Sequence, residues 1–154
     1  MDCESSTAWL TAGARTSQAL SVLIVVRLRA PRLLARRSLV ELMHTLDSPR
    51  RGTRKGAPID PIVRRALWTI EGVARRRLSR SSTCLYRSLG RFAMFARLGL
   101  DVRFVMAVRR AADDLDGHAW IEIDGTPFEE QIDPRMTETF VYPPRPIAQP
   151  SVAP

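Results

Sequence analysis

The sequence is short of the residues that build metal sites and disulfide frameworks: two cysteines, two histidines and one lysine among 154 residues. Cys3 and Cys84 lie in unlike surroundings, a polar tip and the head of an apolar pattern, so a disulfide scaffold is excluded and a reduced, cytoplasmic setting is expected. With only His44 and His118 available and no Cys-x-x-Cys or His-x-x-x-His spacing, a closed zinc site cannot be assembled. Long apolar runs are also missing. The longest, Ala19 to Val26, is far below the roughly 20 residues that span a bilayer. Asp2 and Glu4 stand where a signal peptide needs basic residues, and no Gly-x-x-x-x-Gly-Lys-Ser/Thr loop is available to bind ATP. No cofactor is expected.

What is abundant is arginine. Lysine and arginine total 24 against 16 acidic residues, a net charge of +8, which favours acidic partners and nonspecific attraction to nucleic acid. The arginines are dispersed along the chain and no nucleic-acid reader motif accompanies them, so a specific nucleic-acid partner is not expected. A hydrophobic fraction of 45% is enough for one globular core.

Three stretches follow from the pattern. Residues 1–57 comprise a polar tip expected to fray over residues 1–17, two short helices separated at Pro31, and a basic linker from Asp47 to Ala57. The apolar segment 19–46 is the expected docking surface for a partner. Residues 58–142 form the main domain. Asp60 and Pro61 open a helix whose Ile62, Val63, Ala66, Leu67, Ile70, Val73, Ala74 and Leu78 recur at helical spacing, opposite Arg64, Arg65, Arg75, Arg76 and Arg77. Ser81, Ser82 and Thr83 then cap a second helix that Gly99 stops, and a buried strand alternates from Val102 to Val108. After an acidic loop with Asp113, Asp114 and Asp116, a hairpin turns at Asp124-Gly125 and returns through Ile132. Residues 143–154 form a proline-rich tail expected to be extended or disordered. The fold class is therefore α+β, helices packed on a small antiparallel sheet.

Cys84 falls in the first turn of its helix, where the positive end of the macrodipole favours a thiolate. A cysteine nucleophile needs a base, and the base needs an orienting acceptor. His118 opens a strand, and Glu129, Glu130 and Asp133 lie on or just after the returning one. Strand parity leaves the third member open. A two-residue turn pairs Trp120 with Glu129 and puts Glu129 on the His118 face, whereas a three-residue loop puts Glu130 there. Trp120 and Glu122 share that face, Trp120 as a shield for the imidazole or a core aromatic, Glu122 as a surface cross-strand partner. His44 reads as a structural or surface histidine.

Three segments are familiar together: Cys84-Leu-Tyr-Arg-Ser-Leu89, Arg97-Leu-Gly-Leu-Asp-Val-Arg103 and His118-Ala-Trp-Ile-Glu-Ile-Asp-Gly125. They resemble the transglutaminase-like leader peptidases of lasso peptide biosynthesis, over about residues 60–135. Ala107-Val108-Arg109-Arg110 stands where that family has a Gly-Val-Arg segment. The length resembles the stand-alone form, in which a separate small protein recognises the leader.

The resemblance implies a papain-like, transglutaminase-type cysteine peptidase that cuts the leader from a precursor peptide. Cys84 would be the nucleophile, His118 the general base, and the backbone N–H of Cys84 an oxyanion donor. An ATP-dependent macrolactam synthetase would take the freed amine. The family usually carries an aspartate about twelve residues after the histidine; here that position is Glu130, which the resemblance makes the third member, with Glu129 the close alternative. A subunit that keeps the fold but serves as a scaffold, and a basic nucleic-acid-binding module, are the competing expectations.

Overall fold

The computed structural model describes residues 4–47, 55–77, 83–111 and 114–145. Four helices, α1 (Glu4–Leu34), α2 (Leu39–Leu46), α3 (Pro61–Arg77) and α4 (Cys84–Arg97), are followed by strands β1 (Val102–Ala111), β2 (Asp114–Ile123), β3 (Thr126–Pro127) and β4 (Thr137–Tyr142). The strands form one antiparallel sheet in the order β3-β2-β1-β4. The expected α+β class is what the chain adopts.

The N-terminal region departs from expectation. Rather than a fraying tip and a helix stopped at Pro31, α1 is continuous from Glu4 to Leu34 with Pro31 inside it. Alanines at 8, 12 and 14 have high helix propensity, and Ala19, Leu23, Val26 and Ala30 continue one buried stripe with helical spacing. Pro31 falls in the last turn, where the hydrogen bond it removes is one of the helix's last, and the Ala35 amide still reaches the Pro31 carbonyl at 3.2 Å. The break comes at Ser38, which caps α2 reciprocally: the Glu41 amide donates to the Ser38 side chain and the Glu41 carboxylate accepts from the Ser38 amide. Most of the basic linker, residues 48–54, lies outside the described residues, as do Cys3 and residues 146–154 of the tail.

In α3 the Asp60 side chain accepts from the Ile62 amide at 2.8 Å, the cap that Asp60-Pro61 foretells. Val63, Leu67 and Ala74 are buried, but Ile62 and Val73 are exposed and do not belong to the core stripe. Leu78 and the Arg77 side chain lie outside the described residues; Arg64, Arg65, Arg75 and Arg76 are exposed as expected. Thr83 caps α4, and Gly99, at φ 78°, lets the chain leave it.

The main core lies between the helices and one face of the sheet, with Leu23, Phe92, Phe95, Phe104 and Ile121 fully buried. A smaller cluster of Val105, Ala107 and Trp120 covers the other face. Helices α1 and α4 meet closely at Gly90, where an added Cβ would stand 2.9 Å from Leu23 Cδ1 and 3.2 Å from the Leu23 carbonyl oxygen. Since one of those atoms is backbone, the helices would have to separate. Gly90→Ala is expected to destabilise the fold by about 1–3 kcal/mol, read as a lower urea midpoint; an unchanged midpoint would show that the contact relaxes freely.

The hairpin turn has two residues, Ile123 pairing Thr126, with Asp124 at φ 53° and Gly125 at φ 79°. The returning strand stops at Pro127 instead of reaching Ile132. Of the expected acidic loop, Asp113 lies outside the described residues, whereas Asp114 and Asp116 belong to β2, where Asp116 pairs with Arg109. Strand β4 completes the sheet against β1, and its Tyr142 hydroxyl bonds His44 Nδ1 at 3.1 Å and Asp47 at 3.0 Å, tying the sheet to α2. His44 is thus exposed and structural.

Candidate active site

Cys84 is the first residue of α4, set by the Thr83 cap, whose hydroxyl accepts from the Tyr86 amide at 3.4 Å. It is half-buried and its thiol is free. The Sγ atom points at the Gly117 carbonyl, 4.0 Å away, and so at the residue immediately before His118. One turn further along α4, Ser88 Oγ donates to the Ala119 carbonyl at 2.8 Å, so the helix is fastened to β2 on both sides of His118.

His118 Nε2 lies 2.9 Å from Glu130 Oε2. With Nε2 engaged, Nδ1 is the ring nitrogen left for a thiol. The imidazole stacks on Trp120, centroids 5.9 Å apart and planes 21° from parallel. Trp120 is both alternatives at once, a buried core aromatic and one wall of the imidazole's environment. Glu122, expected at the surface, is buried, with Oε1 accepting from Arg145 at 2.9 Å.

Of the three candidate acids, only Glu130 meets the histidine. The turn has the two residues for which parity favours Glu129, but parity assumes an extended chain, and Glu129 sits at φ 55°. That left-handed residue reverses the facing of the next one. Glu129 itself turns toward α3, accepting from Trp68 Nε1 at 2.7 Å and pairing with Arg64 at 2.7 Å. Asp133 is bound by Arg135 and by Arg109, at 2.6 Å for the latter. Hydrogen bonds from Arg135 hold its carboxyl well below the usual carboxylate range.

Glu130 has two cationic partners that no motif in the sequence marks. Arg87 Nη2 donates to Glu130 Oε1 at 2.6 Å and Arg91 Nη1 to the same oxygen at 3.3 Å. Arg91, only 6% exposed, also makes a two-pronged pair with Glu71 at 2.7 Å on each arm and lies over the Phe128 ring. Arg87 and Arg91 are four apart and lie on one side of α4, a spacing visible in the sequence; that their acceptors come from α3 and the loop after β3 is not.

The fold and a family model place the chain in a class of α+β proteins whose members are typically cysteine-based enzymes. The chain belongs to the transglutaminase-like superfamily, whose family model matches residues 24–141. Comparison with curated proteins and with solved structures finds no match. No described helix is long and apolar enough to cross a membrane, and no described group of His, Cys, Asp and Glu is arranged to hold a metal ion.

Proposed function

We propose that the protein is a cytoplasmic cysteine peptidase that removes the leader from a lasso-type precursor peptide, with Cys84, His118 and Glu130 as its working residues. The observation that carries this reading is the 2.9 Å contact between His118 and Glu130 beside a thiol aimed at the residue preceding that histidine.

The Cys84 sulfur attacks the scissile carbonyl carbon, His118 taking the thiol proton, and the carbonyl oxygen becomes an oxyanion. The backbone N–H of Cys84, at a helix start where the first amides have no intrahelical partner, serves as the donor to that oxygen. As the C–N bond breaks, His118 returns the proton to the leaving amine. The thioester left on Cys84 is hydrolysed by a water that His118 deprotonates, which frees a carboxylic acid and restores the thiol. Glu130 fixes the imidazole tautomer throughout. The new amine is the group that an ATP-dependent macrolactam synthetase consumes.

Leader recognition falls to a separate small protein. Its docking face is the outward side of α1, where Ile24, Val25 and Leu28 are exposed although the opposite side is in the core.

The test is mass spectrometry of the precursor encoded beside this gene, incubated with this protein and the leader-recognition partner. The expected result is one cut giving one leader and one core fragment, slowed in Leu28→Glu and recovered when the partner is raised to saturation. An intact precursor in the presence of folded wild-type protein and partner would overturn the reading.

A further inference from the structure

A buried charge network lies behind the site, and apart from Glu130 none of its members takes part in the steps above. Arg91 bridges Glu71 and Glu130, Arg87 reaches Glu130 from the next turn of α4, and Arg27 of α1 is 97% buried beside them. Arg27 has two guanidinium nitrogens, Nε and Nη1, buried without a partner. Burial lowers its pKa, and the one carboxylate that opposes this is Glu71. Arg27, Arg87 and Arg91 thus outnumber Glu71 and Glu130, and Arg75 of α3 adds to the positive side at Arg27, so the network behind Glu130 carries an excess of positive charge.

This arrangement bears on the glutamate that stands where the resembling family has aspartate. A glutamate has one more rotatable bond, and unless something fixes it the carboxylate wanders from the histidine. Here Oε1 is held by two guanidinium groups and Oε2 is thereby turned to His118. We infer that Arg87 is a positioning residue: with Arg91 it clamps Glu130 so that a glutamate does the orienting work, and it supplies positive charge to the Cys84–His118 pair. The inference rests on the assignment of Cys84, His118 and Glu130 as the site, not on which peptide is cut.

The charged and titratable groups of the network and the pair it backs are Arg27 of α1, Glu71 and Arg75 of α3, Cys84, Arg87 and Arg91 of α4, His118 of β2, and Glu130. Removing one cation from this set raises the proton affinity of every group near it, and removing one anion lowers it. The sign is the same whether the resting pair is thiol and imidazole or thiolate and imidazolium.

Arg87 suits the test because its side chain is 33% exposed, so changing it spares the core. The measurement is the rate of Cys84 alkylation by iodoacetamide against pH, in a Cys3→Ser background, with no peptide present. Arg87→Met is expected to move the midpoint of that profile up by about half a pH unit, and Glu130→Gln to move it down. Arg87→Lys, which keeps the charge, returns the midpoint close to wild type. In precursor cleavage Arg87→Met falls about tenfold, and Arg87→Lys recovers only part of that loss because a point charge does not reproduce the planar fork. Profiles that coincide for wild type, Arg87→Met and Glu130→Gln would overturn the inference, as would a fall in cleavage with no movement of the alkylation midpoint. Because alkylation needs no substrate, a shifted midpoint in a protein that leaves the precursor intact keeps the clamp and discards the peptidase.

Discussion

Cys84→Ala is expected to reduce precursor cleavage by about four orders of magnitude or more while leaving the thermal midpoint within about two degrees of wild type. The size follows from what the thiol does: without it there is no acyl-enzyme, and His118 and Glu130 have no nucleophile to serve. His118→Ala is expected to fall to a similar rate, and the double variant no further, because residues that act as one unit lose their joint effect once. The fold is spared because the Cys84 side chain is only half-buried and its sole described polar contact is the 4.0 Å approach to the Gly117 carbonyl. Mass spectrometry of the cleavage mixture, alongside a thermal melt, reads both quantities. A scaffold subunit would behave otherwise: complex formation with its partners would be normal, and product yield would be indifferent to the substitution.

The second large effect is on stability. Arg91→Met is expected to destabilise the fold by about 3–5 kcal/mol, the cost of leaving the buried Glu71 carboxylate without its ion-pair partner while Glu130 keeps Arg87. Glu71 and Glu130 are both nearly enclosed, with side chains 9% and 12% exposed, and Arg91 is the residue that touches both. The ring contact with Phe128 goes as well. Adding Glu71→Gln to Arg91→Met should recover part of the loss, since the stranded charge is then removed. Full recovery is not expected, because Glu71 is also the carboxylate that offsets Arg27. Urea denaturation of the wild type, the single variant and the double variant gives the comparison. An Arg91→Met midpoint equal to wild type would mean that the network carries no net stability.

The parts of the site that are legible in the sequence are those built by local chemistry. Thr83 before Cys84 and Asp124-Gly125 after the strand of His118 are short-range signals, and each does what its residue types dictate. Glu130 is harder, because parity counting presumes that the chain stays extended past the turn. It leaves the strand at Phe128, whose amide makes one last bond to the Ile121 carbonyl at 2.9 Å, and Glu129 then inverts the count. The family resemblance points to position 130 because it carries an outcome that local rules do not compute. Strand β4 is legible only in composition: Thr137-Glu-Thr-Phe-Val-Tyr142 is rich in β-branched and aromatic residues, while the prolines at 143 and 144 that follow it signal irregular chain. Pro31 is the opposite case, a strong local signal that does not end its helix. A proline in the last turn costs little when the buried stripe before it is long.

The left-handed turn at Glu129 has one more consequence. A non-glycine residue at positive φ is a standing cost, and glycine or asparagine would relieve it. Yet the carboxylate at this position is what joins the loop to Trp68 and Arg64 on α3. Selection for a more stable chain and selection for a fixed loop therefore favour different residues at the same position. That glutamate occupies it marks this turn as a place where the protein has kept strain in exchange for order around its histidine.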